Sequence, residues 1–200
     1  MYTMTNDNDI TKYKKFLKSV LSSKRYKHSV NVSNAAARLA AKHGADVQKA
    51  AVAGILHDVC KEMTGVEQLN LIRESKLYVD PLELRTPNMY HAIAGSVFVQ
   101  KELGITDEEI VRAIRFHTVC SEKMSLVEQI VYLADLISAD RTYDGVSKMR
   151  RLSSKSINRA MLEALKFQII SNTEKGNFIF SSTVNAYNEF IIKEKFNESK

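Results

Sequence analysis

Apolar residues recur every three or four positions along most of the chain, as in the stripe formed by Val32, Ala35 and Leu39. This spacing places the apolar side chains on one face of an α-helix. Two prolines and seven glycines in 200 residues are too few for a sandwich or barrel of many short strands. We therefore predict an all-α fold, with helices near residues 9–21, 24–43, 46–59, 65–75, 88–103, 107–118, 125–138, 154–172 and 178–194.

Several helix boundaries are marked by capping residues. Capping-box spacing occurs in three pairs: Thr64 with Glu67, Thr106 with Glu109, and Ser125 with Glu128. Asp46 and Asn88 are predicted N-caps, and Gly44 and Gly104 lie where a left-handed C-terminal cap is expected. These signals predict where the helices begin and end.

The chain has no strong domain boundary. A hydrophobic content of 44% in 200 residues is enough for one domain with a sizeable core. Residues 80–87 contain both prolines and are predicted to form a loop, and residues 139–153 form the longest predicted irregular connection, although part of it could be helical. We expect one domain over residues 1–200, a bundle of about eight to nine helices, with the helices from about residue 154 packed on the rest.

Composition narrows the classes of partner and compartment. Lys and Arg number 29 and Asp and Glu 23, a net charge of +6, which favours anionic partners such as nucleotides. No apolar run approaches the roughly 18 residues of a membrane span, and the polar N-terminus lacks an apolar signal region. The two cysteines, Cys60 and Cys120, are interpreted as reduced thiols. We therefore expect a cytoplasmic protein without a membrane partner.

Histidines and aspartates interrupt the apolar stripes. His28, His57, His91 and His117 each continue a core-facing stripe, Asp58 follows His57, and Asp135 lies within an apolar helix. A single buried histidine is usually a hydrogen-bonded core residue. A carboxylate on an apolar face, however, costs several kcal/mol unless it is paired or bound to a cation. The whole set therefore predicts a shared metal site.

The order of these residues resembles the HD-domain superfamily of metal-dependent phosphohydrolases. Five runs carry a closer resemblance, to the bacterial YqeK family: Arg25-Tyr26-Lys27-His28-Ser29, Gly54-Ile55-Leu56-His57-Asp58-Val59-Cys60-Lys61, His91-Ala92-Ile93-Ala94-Gly95, Ala113-Ile114-Arg115-Phe116-His117-Thr118 and Ile130-Val131-Tyr132-Leu133-Ala134-Asp135. That family comprises symmetrical diadenosine tetraphosphate hydrolases, which split this dinucleotide into two ADP. The resemblance covers about residues 10 to 170.

The resemblance implies a helical HD fold with a centre of two iron ions. One metal would be held by His28, His57, Asp58 and Asp135, and the second by His91 and His117, with Asp58 bridging the two. Imidazole and carboxylate ligands also suit manganese, cobalt and zinc, so the residue types alone do not select iron. A hydroxide bridging the metals would attack phosphorus in line, without a covalent protein nucleophile.

Four residues are candidates for binding the phosphates of the substrate. If the helix continues, Lys61 lies on the same face as the catalytic Asp58. Lys61 is then predicted to bind phosphate as a second catalytic residue. The alternative is a solvated lysine near the end of a helix. Arg25 could bind phosphate or fix a metal-ligating carboxylate. Thr118 could bind phosphate or cap a helix, and Arg141 could bind phosphate or be an exposed surface charge.

Other functions stay open at this stage. The protein could be another HD nucleotidase or phosphodiesterase, acting on mononucleotides or a cyclic dinucleotide. A different class would be a non-catalytic module in which the metal braces an RNA-binding surface. The basic runs at residues 12–15 and 148–151 are short and fit solvated helix faces, so nucleic acid is not the expected partner.

Two further features concern the periphery of the site. The family tends to carry Thr-Gly and Glu-Pro where this chain has Val119-Cys120 and Ser138-Ala139, in loops expected to flank the substrate. The apolar stripes of the last two helices fit either the core or a homodimer contact. The partners expected from the sequence are thus a dinucleoside polyphosphate or other nucleotide, and a second copy of the chain.

Overall fold

A computed structural model describes the backbone of residues 7–197 and the side chains of residues 10–195. Within this range the chain forms ten α-helices and two short 3-10 helices, with no strand. The α-helices are α1 Asp7–Val20, α2 Ser23–His43, α3 Val47–Leu56, α4 Gly65–Glu74, α5 Tyr90–Lys101, α6 Glu108–Phe116, α7 Leu126–Ile137, α8 Val146–Lys155, α9 Ile157–Glu174 and α10 Ser181–Asn197. The all-α prediction is confirmed, with one helix more than the predicted nine.

The additional helix is α8, in a region predicted to be irregular. The prediction of a long connection over residues 139–153 holds only as far as Gly145, whose φ of 93° precedes the helix. The single helix predicted to begin at residue 154 is divided at Ser156. This residue is extended, with φ −154° and ψ 119°, and its side chain accepts a hydrogen bond from Arg159 N. Ser156 thereby ends α8 and begins α9.

Most of the predicted N-caps form. Asp46 caps α3, and Thr64 and Ser125 form complete capping boxes at α4 and α7. The box predicted at Thr106 is wrong. The neighbouring Asp107 is the cap of α6, because its carboxylate accepts two backbone N–H bonds of the first turn, at 3.1 and 3.2 Å.

The predicted cap at Asn88 is also wrong. Asn88 lies inside the 3-10 helix Pro87–Met89, and α5 begins directly afterwards, at Tyr90, without a side-chain cap. Both glycines predicted to follow helices are left-handed: Gly44 has φ 76° after α2, and Gly104 has φ 66° after α5. Glycine adopts this conformation without the strain of a Cβ atom.

The helices share one apolar core. The cluster of buried side chains extends from Tyr13 on α1 to Phe190 on α10. Helix α2 packs against α3 and α7, α5 packs against α4 and α6, and α9 contacts α7, α8 and α10. Gly54 lets α3 approach α2 closely, since an added Cβ would lie 3.0 Å from Ser33 Cα. None of the described helices is both long and apolar enough to cross a membrane.

Candidate metal centre

The structure brings the four histidines and two aspartates of the predicted site together. They are carried as follows: His28 on α2, His57 and Asp58 directly after α3, His91 in the first turn of α5, His117 directly after α6, and Asp135 on α7. The histidines and Asp58 are buried, and the Asp135 side chain is 17% exposed. Five separate helices therefore meet at one polar centre inside an apolar core.

The Asp58 carboxylate faces a pair of histidines with each of its oxygens. Oδ1 lies 3.3 Å from His91 Nε2 and 3.6 Å from His117 Nε2. Oδ2 lies 3.3 Å from His57 Nε2 and 3.9 Å from His28 Nε2. Two adjoining groups of potential metal-ligating atoms thus share Asp58, which is the arrangement that a bridging ligand requires.

Asp135 completes the group around the first histidine pair. Its Oδ1 lies 3.0 Å from His28 Nε2 and 4.0 Å from His57 Nε2. The second group contains no carboxylate besides Asp58 among the described residues. The ligand sets implied by the resemblance are therefore compatible with the side-chain positions.

The hydrogen bonds of the imidazoles show that the residues fit a metal. His57 Nδ1 lies 2.8 Å from Gly54 O, and His117 Nδ1 lies 2.7 Å from Ile114 O. A carbonyl oxygen only accepts, so Nδ1 carries the hydrogen in both rings and Nε2 directs a lone pair into the centre. The buried Nε2 atoms of His57 and His28 have no hydrogen-bond partner within the described residues. Lone pairs that face carboxylate oxygens call for a cation between them.

Asp140 is a further residue in contact with the centre that sequence reasoning missed. Its Oδ2 accepts a hydrogen bond from His28 Nδ1 at 2.8 Å, and its Oδ1 accepts one from Asn31 Nδ2 at 2.9 Å. Burial alone would raise the pKa of Asp140, but the bonds from Asn31 and His28 outweigh burial and lower it to about 2. A carboxylate behind a metal-ligating histidine orients the ring and makes it a better ligand. The one signal in the sequence was Asn31, a polar residue one turn after His28 on the same helix.

The two carboxylates at the centre are held in their charged form. Burial opposes ionisation of Asp58, but attraction to His57 and the proximity of His117 outweigh it and hold the pKa of Asp58 well below its ordinary value. Burial likewise opposes ionisation of Asp135, but its close contact with His28, together with attraction to His57 and Arg141, outweighs burial and lowers the pKa of Asp135. Both side chains are therefore available as anionic ligands at neutral pH.

The histidines have different electrostatic surroundings. Burial and repulsion from His117 lower the pKa of His91 to about 3. Burial also disfavours the charged form of His57, but the adjacent Asp58 carboxylate outweighs it and raises the pKa of His57. Neutral imidazole is the form that binds metal, so His91 is prepared for this role at neutral pH.

Two predicted phosphate-binding arginines contact the carboxylates of the centre. Arg25 Nη1 donates to Asp58 Oδ2 at 2.6 Å, so this arginine does fix a carboxylate of the centre. Arg141 donates from Nε to the backbone oxygen of Asp135 at 2.8 Å, and from Nη2 to the Asp135 carboxylate. Arg141 is therefore not a free surface charge. Phosphate binding by either arginine stays a prediction.

Lys61 reaches the centre by a different route from the one predicted. The helix predicted over residues 46–59 ends at Leu56, and a series of turns follows. These turns place Lys61 Nζ 3.3 Å from both ring nitrogens of His91. Burial lowers the pKa of Lys61, although the Asp58 carboxylate opposes this effect.

The loop after His117 is fastened by the last two helices. Gln168 Nε2 on α9 donates to Thr118 O at 2.8 Å, and Thr183 Oγ1 on α10 donates to Val119 O at 2.6 Å. Lys123 N in the same loop donates to a Glu189 carboxylate oxygen at 2.7 Å. The Thr118 hydroxyl is buried and has no partner within the described residues, so it does not cap the helix.

The same loop contains two residues other than glycine in the left-handed region. Cys120 has φ 63° and Lys123 has φ 53°, a conformation that costs about 1–2 kcal/mol for a residue with a Cβ atom. Cys120 stands where the family tends to carry glycine. The hydrogen bonds from α9 and α10 hold the backbone in this shape.

The fold and the centre together define an HD-type helical protein. The family model described as HD domain matches residues 25–140, a range that contains all six residues of the centre and ends at Asp140. The chain belongs to the HD domain family, as its resemblance predicted.

Comparison with curated proteins gives a narrower group of relatives. The chain is 36% identical over 175 residues to the protein named symmetrical bis(5'-nucleosyl)-tetraphosphatase from Bacillus subtilis (strain 168), covering 88% of this chain and 94% of the relative. It is 37% identical over 179 residues to the protein of the same name from Halalkalibacterium halodurans, covering 90% and 95%. A crystal structure from Clostridium acetobutylicum, described as a predicted HD superfamily hydrolase involved in NAD metabolism, has a TM-score of 0.88 and 33% identity, and covers 92% of this chain and 97% of that one.

Proposed function

We propose that this protein is a metal-dependent symmetrical hydrolase that splits diadenosine tetraphosphate into two ADP. The observation that carries the proposal is the position of Asp58, whose two carboxylate oxygens face two separate histidine pairs. This arrangement fits two adjoining metal ions, which is a common arrangement in phosphoester hydrolases. The names of the similar proteins support the choice of substrate.

In this reaction one water molecule is consumed. Its oxygen attacks the second phosphorus from one adenosine, and the bond from that phosphorus to the central bridging oxygen breaks. The central oxygen leaves with the other half of the molecule, so both products are ADP. When two metal ions are bound, they lower the pKa of water and neutralise charge on the phosphoryl oxygens. We propose iron as the metal, with manganese, cobalt and zinc as the alternatives that the same ligands accept.

The protein side chains have three tasks in this mechanism. Asp58 is proposed to bridge the two ion sites, and its pKa keeps it anionic. Lys61 is proposed to bind the phosphate oxygens, for which its ammonium group near His91 is well placed. Arg25 and Arg141 hold the ligand carboxylates and border the same space. The positive charges of these three basic residues balance the three negative charges of Asp58, Asp135 and Asp140. Bound metal ions would therefore give the site a net positive charge, which attracts the polyphosphate.

The test is to incubate the iron-loaded protein with diadenosine tetraphosphate and to separate the nucleotides by chromatography. We expect ADP as the sole product. His91→Ala or His117→Ala should remove the second ion and lower kcat at least about 100-fold, because a metal contributes several kcal/mol of transition-state stabilisation. Circular dichroism should show that the helices survive. His43→Ala is the matched control, since His43 Nε2 bonds Ser153 O, away from the centre.

The outcome separates the proposal from its alternatives. Full activity in the His91 and His117 variants would contradict a two-metal mechanism. Orthophosphate released from a mononucleotide, or an opened cyclic dinucleotide, would indicate a different HD phosphohydrolase. RNA binding without turnover of any of these substrates would indicate the non-catalytic module.

We further propose that the chain acts as a single HD-type domain. The helices after residue 154 share its core, which supports this proposal. The homodimer expected from the sequence stays a prediction, which the mass of the protein in solution would test.

A further inference from the structure

Two aromatic rings stack on each other, and each lies close in the chain to a residue that contacts the metal centre or the loop after His117. Tyr143, in the connection between α7 and α8, stacks on Phe167 of α9, with ring centroids 5.6 Å apart and an interplanar angle of 25°. Phe167 is nevertheless 46% exposed. We refer to Tyr143 and Phe167 as the aromatic wall. One side of the Phe167 ring packs on protein, and much of the rest is open to a ligand.

The Phe167 end of the wall is fastened to the loop that follows His117. The next residue on α9, Gln168, donates from Nε2 to Thr118 O at 2.8 Å. Its Oε1 accepts a hydrogen bond from the Tyr132 hydroxyl. Thr118 directly follows the metal-ligating candidate His117, so the fastening point is next to the centre in the chain.

The Tyr143 end of the wall lies in the connection after α7, the helix that carries Asp135. Tyr143 lies two residues after Arg141, which binds Asp135. Burial raises the pKa of Tyr143, while Arg141 and Arg150 lower it and the Asp135 carboxylate raises it. Tyr143 therefore belongs to the chain segment that Arg141 fixes to the centre.

Two hydroxyl groups, one on the wall and one in the loop to which the wall is fastened, have no partner within the described residues. The Oγ1 atom of Thr118 and the Oη atom of Tyr143 are both buried, and neither makes a hydrogen bond within the described residues. A buried hydroxyl without a partner is costly, and a bound water or ligand is one way to satisfy it. Both hydroxyls flank the segments that carry His117 and Asp135.

We propose that the aromatic wall is a nucleoside subsite, in which Phe167 stacks on one base of the dinucleotide and the Thr118 and Tyr143 hydroxyls bind oxygens of the attached sugar or phosphate. This inference rests on the proposed function and adds a specificity-determining surface to it. Aromatic side chains stack on any base, since every base has a π-face. The exposed ring, together with a centre that bound ions would make positive, combines the two features that recognise a nucleotide, a base platform and a phosphate site.

The direct test uses the absence of tryptophan from the sequence. Phe167→Trp introduces a single reporter on the wall. We expect its fluorescence to be quenched on titration with ADP, because the base stacks on the indole. Inorganic tripolyphosphate, which has no base, should leave the emission unchanged at concentrations where it competes with ADP. Phe178→Trp is the matched control, since Phe178 is similarly exposed, at 49%, and should give no ADP-dependent quenching.

Substitution of the ring gives a quantitative test. Base stacking is worth about 1–3 kcal/mol, which corresponds to roughly a 5- to 150-fold change in affinity. We expect Phe167→Ala to raise the Kd for ADP, measured by calorimetry, within this range. If the enzyme hydrolyses diadenosine tetraphosphate, KM should rise in parallel while kcat changes less than about threefold. Phe167→Tyr, which keeps the ring, should restore the wild-type Kd.

The outcomes distinguish this inference from the proposed function. Quenching by ADP together with weaker ADP binding by Phe167→Ala would support the subsite even if diadenosine tetraphosphate were not hydrolysed. Normal hydrolysis with an unchanged KM in Phe167→Ala would overturn the subsite and leave the function intact. Emission of Phe167→Trp that depends on protein concentration and not on ADP would overturn it as well, and would assign the wall to contact between two copies of the chain.

Discussion

Replacing Asp140 with alanine removes the hydrogen-bond acceptor that orients the His28 ring. Two bonds are lost, from His28 Nδ1 at 2.8 Å and from Asn31 Nδ2 at 2.9 Å. Loss of such a partner behind a metal-ligating histidine typically weakens metal binding about 10- to 100-fold. This range corresponds to about 1.4–2.8 kcal/mol of binding free energy. We expect Asp140→Ala to lose metal affinity within this range while the other candidate ligands stay in place.

Metal affinity is best measured by competition with a chromophoric chelator, using Co²⁺ or Zn²⁺ and metal-free protein. Thermal melting gives a second readout, because an ion that binds only the native state stabilises it. At high metal concentration this stabilisation grows with the logarithm of the ratio of the metal concentration to Kd. At one saturating metal concentration, the metal should raise the free energy of unfolding of Asp140→Ala by less than that of the wild type. The difference should be about 1.4–2.8 kcal/mol, equal to the loss in binding free energy.

Two further variants make the experiment specific. Asp140→Asn keeps an acceptor oxygen and loses the charge, so its affinity should lie between those of the wild type and the alanine variant. Asp144→Ala removes an exposed carboxylate from the same connection and should change nothing. Unchanged metal affinity in Asp140→Ala would refute the reasoning, since His28 would then need no partner to act as a ligand.

The remaining predictions concern packing and the thiols. Gly54→Ala should lower the free energy of unfolding, measured in urea, by about 1–3 kcal/mol, because the new methyl group would meet the α2 backbone at 3.0 Å. Gly65→Ala is the control, since nothing lies within 4 Å of its added Cβ, and an equal loss there would refute the packing argument. Burial raises the pKa of Cys60 and Cys120 to about 12, so both thiols are neutral at pH 8 and ionise only as the pH approaches that value. Ellman's reagent at pH 8 should label neither thiol until denaturant is added; rapid labelling of the native protein would show that the thiols are accessible.

The candidate centre could be predicted from the sequence because its residues break a regular pattern. His28 and Asp135 are conspicuous as polar side chains on apolar stripes. Asp140 has no such context, because it lies in a connection without periodicity and its partner, His28, is distant along the chain. The network around Asp140 depends on how α2 packs against the end of α7, and local spacing carries no information about that packing.

The fold shows the same division between local and tertiary information. Thr64 and Ser125 cap as predicted because both halves of the box lie within four residues. At α6 two adjacent cap formers compete, and the position of the helix favours Asp107 over Thr106. Helix α8 buries Val146, Met149 and Ser153, a helical spacing that its many charged residues obscure in the sequence.

The loop after His117, which contains two left-handed residues, is held in place by residues outside the segment that the family model matches. The recognisable segment ends at residue 140, but Gln168, Thr183 and Glu189, which hold that loop, all come later. An excised segment 25–140 would keep every candidate ligand and lose the anchors of the loop. Substitutions in α9 and α10 can therefore alter the surroundings of His117 while the six residues of the centre stay the same.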